Sequence, residues 1–217
     1  MNLKLHGYWR SSATYRVRIA LHLKQLAFDY IPVHLVLDGG QQKAVEYTRL
    51  NPSQLVPTLI DEDEDIILNQ SLAIIEYLDE KYDSGASLIP QHTLDRARVR
   101  AVSYDLACEV QPVTNLRIIN ALKSDFNASA DDIIAWQQKW MKKGFAALEK
   151  RLETRAGKYC FGYDISMADI CLVPQVYNAK RFEVDMQAFP LISKIWHNCN
   201  ELDAFQKALP ENQIDAD

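Results

Sequence analysis

Two hydroxyl side chains, Ser11 and Ser12, stand where a short apolar run, Leu3 to Tyr8, gives way to Ala13-Thr14-Tyr15-Arg16-Val17-Arg18-Ile19-Ala20-Leu21. Ile19, Leu23 and Leu26 recur at helical spacing, so this junction reads as the start of a helix after a strand. Serine is a good N-cap, and the first turn of a helix also offers unpaired N–H groups and the positive end of the dipole. Such a junction can hold a thiolate, a carboxylate or a phosphate. Two readings stay open at this point: a plain cap, or a cap that shares its helix start with an anion. Asn69-Gln70-Ser71 repeats the arrangement ahead of Leu72, Ile75 and Leu78, where Ser71 reads as a second hydroxyl cap.

Other chemistry-bearing residues read as structural. Cys108, Cys160, Cys171 and Cys199 lie far apart with no Cys-x-x-Cys, which argues against a zinc site or a dithiol centre and for buried, reduced side chains. The run Asp61-Glu62-Asp63-Glu64-Asp65 reads as a solvated hairpin turn, and no metal site is expected. Ser166-Met167-Ala168-Asp169 fits a capping box, which gives Asp169 a structural role.

The 217-residue chain is 48% hydrophobic and 24% charged, with a net charge of −5, the make-up of an ordinary globular protein. An acidic balance without a basic face makes nucleic acid an unsuitable partner. No apolar run is long enough to span a bilayer and none resembles a signal peptide, so no membrane partner and a cytoplasmic location are expected.

The elements that must carry the two hydroxyl junctions follow in order. After the first strand and helix come an extended stretch from Tyr30 to Leu37, the turn Asp38-Gly39-Gly40, and a short helix with Val45, Tyr47 and Leu50 closed by Asn51-Pro52. Leu55-Val56-Pro57-Thr58-Leu59-Ile60 reads as a strand with a proline at its start, a position where the cis peptide also occurs. Ile66-Ile67-Leu68 returns, and a helix from Ser71 follows. Strand signals stop near residue 83. Asp83-Ser84-Gly85 and Leu88-Ile89-Pro90 suit a linker. Beyond it, Val99, Val102, Leu106, Val110 and Val113 mark one long helix kinked at Pro112, and Ile133, Trp136, Trp140, Leu148 and Leu152 mark another. Phe189 to Leu202 reads as the last helix, and frayed residues are expected after it. The expected organisation is an α/β thioredoxin-like domain of βαβαββα order over 1–82, a linker over 83–91, and an all-α helical domain over 92–217.

Together these pieces resemble the cytosolic glutathione transferases. Tyr8-Trp9-Arg10-Ser11-Ser12-Ala13-Thr14-Tyr15-Arg16-Val17-Arg18-Ile19-Ala20-Leu21 is similar to the zeta class, as are Asp38 to Gln42, Asn51-Pro52 to Val56-Pro57-Thr58-Leu59, and Asn69 to Leu78. Ala168 to Val176 and Asn178-Ala179-Lys180-Arg181-Phe182 extend the likeness through the helical half in register.

The resemblance implies glutathione as the cofactor. It places Gln70 and Ser71 on the γ-glutamyl carboxylate, Val56 and Pro57 beside the cysteinyl backbone, Gln42 at the glycyl end, and Gln111 and Asn115 in further contacts. It makes Ser11 the hydroxyl that activates the thiol. A free thiol has a pKa near 8.5, and lowering it by about two units requires roughly 2.7 kcal/mol of thiolate stabilisation. One hydroxyl hydrogen bond contributes about 1 kcal/mol, up to about 3 to a charged partner, and a helix start adds about 0.3 to 1. Ser12, backbone N–H groups and Arg10 are therefore expected to share the task.

The activity implied is cis–trans isomerisation of maleylacetoacetate, in tyrosine and phenylalanine catabolism, by reversible addition of the thiolate to a double bond conjugated to carbonyls. Fixed cations should favour the developing enolate and bind the dicarboxylate substrate, and Arg10, Arg117 and Arg181 are the candidates. A homodimer is also implied. One departure stands out: Ala13 occupies the position of the cysteine in the usual Ser-Ser-Cys signature, which maleylpyruvate isomerases of the same class also lack. Maleylpyruvate isomerisation, general transferase activity and a non-catalytic relative of the fold are the alternatives.

Overall fold

The computed structural model describes residues 2–216. Two compact units emerge: residues 2–88 together with 201–216, and Ile89–Asn200.

The first unit has the strand and helix order expected: β1 (Leu3–Gly7), α1 (Ser12–Leu23), β2 (Asp29–Pro32), α2 (Val45–Leu50), β3 (Thr58–Asp61), β4 (Ile66–Asn69) and α3 (Ser71–Lys81). The sheet order is β2-β1-β3-β4, with β1 parallel to β2 and antiparallel to β3, and β3 antiparallel to β4. Register decides where the chemistry can assemble. His6 pairs Thr58, Thr58 pairs Asn69, and Gly7 pairs Pro32. The residues after β1, before β3, after β4 and after β2 therefore all leave the sheet at one end. Ser11, Val56, Gln70 and Gln42 belong to those four segments.

Several expectations are corrected. The extended stretch after residue 29 ends at Pro32, because His34 Nδ1 accepts the N–H groups of Val36 and Leu37 and turns the chain. Asp61 is no solvated turn residue: it ends β3 fully buried and accepts from the Tyr77 and Tyr82 hydroxyls at 2.7 and 2.8 Å. Burial alone would raise its carboxyl, but those two hydroxyls, Lys81 and the Asp63 N–H together hold it below the ordinary value. The assignment of everything after residue 92 to the helical domain fails at its C-terminal end. Residues 201–216 belong to the first unit, where α10 (Asp203–Lys207) packs on α1 and the tail beyond it is held, not frayed. That cover explains why α1 is buried on more than one face, with Arg18 fully buried.

The second unit is helical: α4 (Thr93–Tyr104), a π-helical segment Asp105–Val110, the single turn α5 (Gln111–Val113), α6 (Leu116–Phe126), α7 (Ala130–Leu152), α8 (Met167–Arg181) and α9 (Pro190–Asn200). The long helix expected through Val113 is this α4–α5 run, and it stops at Thr114, so Asn115 and Arg117 open α6 rather than lying on it. The last helix expected through Leu202 ends at Asn200. Ser166 and Asp169 make the capping box: the Ser166 N–H and hydroxyl donate to Asp169 Oδ2 at 2.9 and 2.8 Å, while Oδ1 accepts from the Cys160 N–H at 2.7 Å. Cys160, Cys171 and Cys199 are buried as expected, but Cys108 is exposed, on the outer side of the π-helical segment. Among the described residues no helix is long and apolar enough to cross a membrane, and no cluster of His, Cys, Asp or Glu suits a metal ion.

Candidate active site

A single turn delivers Ser11. Its N–H donates to Tyr8 O at 3.0 Å, closing Tyr8–Ser11, and its hydroxyl oxygen accepts from the Thr14 N–H at 3.2 Å as the N-cap of α1. The cap uses a lone pair and not the proton, which has no acceptor among the described residues. Ser12 occupies the first position of the helix. Arg10 is set by its neighbours: Nη2 donates to the Tyr8 hydroxyl at 3.1 Å, and the guanidinium lies 4.9 Å from the Trp9 ring centroid. A cation held over two aromatic faces keeps its charge in one place.

Val56 and Pro57 precede β3, and the peptide between them is cis. The Tyr47 hydroxyl donates to Leu55 O at 2.6 Å and Asn51 Nδ2 to the same oxygen at 2.7 Å, so the residue before Val56 is pinned twice. Burial raises the Tyr47 hydroxyl pKa, which keeps that donor protonated. Val56 packs in an apolar cluster with Tyr8, Trp9, Val33 and Tyr47. Its backbone N–H and C=O have no partner among the described residues, which leaves both free to pair with an extended ligand or with water.

At the third segment the expected cap is corrected. Gln70, not Ser71, is the N-cap residue of α3, and Ser71 is its first helical residue. Gln70 has φ 71° and ψ 112°, a conformation sparsely populated by any residue other than glycine. Strain of this kind persists only where the surroundings impose it. Thr58 Oγ1 donates to Asn69 Oδ1 at 2.7 Å and Asn69 Nδ2 to Leu50 O at 3.3 Å, which fixes the residue before Gln70. Ser71 is buried, and its hydroxyl oxygen accepts from Arg16 Nε at 3.1 Å. Sequence reading missed Arg16 because an arginine inside an amphipathic helix reads as solvated, and its partner lies 55 residues away.

Gln42 lies in the one-turn helix after Gly40, and its Oε1 is buried without a partner among the described residues. Gly40 takes φ 104°, a conformation that favours glycine, and a Cβ there would lie 2.7 Å from the flexible Gln42 amide and push it aside.

The second unit carries the remaining candidates. Gln111 opens α5 half-buried; Asn115 caps α6, its Oδ1 accepting from the Arg117 N–H at 3.1 Å. Arg117 is exposed on the first turn of α6. Arg181 is exposed at the C-terminal end of α8, where the helix dipole also favours a cation, and lies 5.2 Å from the Phe182 ring centroid.

The residues of the first unit suit a tripeptide with a thiol and two terminal carboxylates. A polarised hydroxyl with an uncommitted proton, an unpaired extended backbone, a second helix start and an orphaned amide all leave one end of one sheet.

Comparison with known proteins agrees. Residues 10–81 match the model of the glutathione S-transferase N-terminal domain, and residues 121–203 that of the C-terminal domain. The chain is 49% identical over 216 residues to the probable maleylacetoacetate isomerase of Vibrio cholerae serotype O1, covering 100% of this chain and 99% of that one. Among solved structures, the holo form of a bacterial zeta-class maleyl pyruvate isomerase superposes with a TM-score of 0.93 at 40% identity, covering 99% of this chain and 100% of that one. The maleylacetoacetate isomerase of Methylobacterium extorquens AM1, solved with bound malonate and glutathione, gives 0.92 at 34% identity and covers 99% of each chain. The chain belongs to the glutathione transferase family, among the zeta-class relatives of the maleylacetoacetate isomerases.

Proposed function

We propose that this protein is a glutathione-dependent cis–trans isomerase that converts maleylacetoacetate to fumarylacetoacetate, a step of tyrosine and phenylalanine catabolism. The observation that carries the reading is the Ser11 hydroxyl, held by the Thr14 N–H at a helix start with its proton uncommitted, at the sheet end shared by Val56 and Gln70. When bound, glutathione would supply a thiolate that adds to the cis double bond, making it a single bond, and leaves again after rotation about that single bond, so none is consumed.

The chain's own residues set the conditions. Ser11 donates to the sulfur and favours its ionised form, and Ser12 and the first N–H groups of α1 add to the positive field. Gln70 and Ser71 hold the γ-glutamyl carboxylate, with Arg16 behind Ser71; Val56 pairs its backbone with the cysteinyl part beside Pro57; Gln42 takes the glycyl end; Gln111 and Asn115 make further contacts. Arg10 offers a fixed positive charge to the substrate oxygen on which negative charge develops, and Arg117 and Arg181 bind substrate carboxylates. The malonate seen in the Methylobacterium extorquens relative supports a small dicarboxylate as the ligand class. A homodimer and a cytoplasmic location belong to the same reading; sedimentation and cell fractionation test them.

One observation favours a second substrate, maleylpyruvate: Ala13 brings no thiol to the first turn of α1, and the zeta-class structure with a TM-score of 0.93 is a maleyl pyruvate isomerase. The test offers each cis acid separately, with glutathione at a small fraction of the substrate, and follows its absorbance. Many turnovers per glutathione establish isomerisation, and the larger kcat/KM names the substrate. Turnover that stops when glutathione is exhausted would mean a conjugating transferase, and no turnover with either acid would refute the enzyme reading.

A further inference from the structure

The turn that presents Ser11 is gripped by the far end of the chain. The Trp9 N–H donates to Asp215 Oδ2 at 3.0 Å, across 206 residues of sequence, and the Trp9 carbonyl accepts from Arg18 Nη2 at 2.9 Å. Both backbone polar groups of Trp9 are thereby fixed, two residues before Ser11. The same buried arginine ties down the terminal segment, since Arg18 Nε donates to Ala208 O at 3.1 Å. The Tyr30 hydroxyl donates to Asp215 Oδ2 at 3.3 Å. Burial, reinforced by the Asp215 carboxylate, pushes that hydroxyl's pKa up and keeps it a donor. Ala216 packs against the apolar cluster that contains Tyr8, Trp9 and Val56.

We propose that Asp215 is a positioning residue for thiol activation: by accepting the Trp9 N–H it holds the Tyr8–Ser11 turn so that the Ser11 hydroxyl meets the sulfur in one place. This rests on the glutathione reading above. The benefit must be geometric, because a negative charge near a thiolate opposes its ionisation. Asparagine can keep the geometry without the charge, its Oδ1 taking the place of Asp215 Oδ2 and accepting from both the Trp9 N–H and the Tyr30 hydroxyl. Alanine leaves a buried N–H with no acceptor.

The experiment uses the full-length protein and three readouts: amide exchange over residues 8–11, titration of enzyme-bound glutathione by thiolate absorbance, and the pH profile of kcat/KM. Asp215→Ala is expected to speed exchange at Trp9 and to move the thiol titration and the acid limb of the profile upward, an effect of about tenfold at neutral pH for one charge-assisted hydrogen bond. Asp215→Asn should stay within about twofold of wild type on the same reasoning. Gln213→Ala removes bonds from Gln213 Nε2 to Lys207 O and Leu209 O in the same tail without touching Trp9. It should lower the melting temperature and leave the thiol titration in place. A chain ending at Gln213 lacks Asp215 and the Ala216 packing but keeps the bonds of Arg18 to Ala208 O and of Gln213 to Lys207 O and Leu209 O, and it carries the same expectation should Asp215→Ala not fold. The proposal is overturned if Asp215→Ala or the shortened chain titrates like wild type, if Asp215→Asn is as damaged as Asp215→Ala, or if Gln213→Ala shifts the titration equally. Were wild type itself to form no thiolate, the glutathione reading would fail, and unchanged exchange at Trp9 in Asp215→Ala would separately refute the hold on the turn.

Discussion

Ser11 caps a helix and, in the proposed reading, also activates the thiol, and substitution can separate the two. As N-cap it accepts the Thr14 N–H at 3.2 Å, and replacing a capping serine by alanine costs about 1 kcal/mol of stability. In a chain of this size that lowers Tm by roughly 2 to 4 °C. In the proposed activating role it would donate to a charged sulfur, a bond worth about 1.5 to 3 kcal/mol. At about 1.36 kcal/mol per pKa unit, Ser11→Ala should raise the pKa of enzyme-bound glutathione by about 1 to 2 units. At neutral pH kcat/KM should fall by about tenfold to a hundredfold, and the loss should shrink as pH rises past the new pKa.

Ser11→Thr keeps both the cap acceptor and the hydroxyl proton, so it should retain most of the activation. Ser12→Ala removes a hydroxyl but leaves the backbone N–H at the helix start, and its effect should stay below about tenfold. The assay is a spectrophotometric thiolate titration of bound glutathione, paired with thermal melting of each variant. A Ser11→Ala protein that melts lower yet titrates like wild type would show that Ser11 only caps the helix, and the activation argument would fall.

Three further outcomes follow from the same geometry. Ser71→Ala should raise KM for glutathione by about tenfold with kcat little changed, since the lost bond acts in ground and transition states alike; a kcat loss without a KM change would contradict its role. Arg181→Met should raise KM for the dicarboxylate and leave glutathione binding, measured by calorimetry, where it was. Asp61 has a folded pKa below its unfolded value of about 3.9, so its contribution is present above that value and lost as pH falls through the lower folded one. Asp61→Asn should flatten the decline of the urea midpoint below about pH 4, and at neutral pH it should cost about 1 to 3 kcal/mol.

The sequence exposed what is local. The βαβαββα order, the helix starts at Ser11 and Ser71 and the Ser166–Asp169 capping box are written in spacings of a few residues, and the structure has each of them, with the cap of α3 moved from Ser71 to Gln70. What stayed illegible depends on partners far along the chain. Asp61 sits in a run of five acids that reads as solvent-facing until Tyr77 and Tyr82, 16 and 21 residues later, turn their hydroxyls onto it. Arg16 and Arg18 stand two residues apart in α1, on different faces, and only the approach of Ser71 and of Ala208 shows what these buried side chains meet. The return of the terminal segment to Trp9 has no signal in local pattern at all, since Asp215 in a polar tail looks like fraying.

That division has a functional side. Each of the four segments proposed to face the ligand is a connection, and connections left to themselves sample many conformations. Three of the four are tied within two residues of the candidate side chain: Leu55 by Tyr47 and Asn51, Asn69 by Thr58, Trp9 by Asp215 and Arg18, while Arg16 holds Ser71 itself. A hydroxyl that must meet a sulfur within hydrogen-bond distance gains from such pinning, because a displacement of about 1 Å is enough to lose most of an oriented interaction. Substituting a residue that faces the ligand should therefore change one kinetic parameter, whereas substituting its tie should change binding and thiol ionisation together. Tyr47→Phe tests this without touching a ligand-facing side chain: it frees Leu55 O of one donor, and it should raise KM for glutathione and the thiol pKa in the same variant. If only the melting temperature moved, the ties would be scaffolding alone.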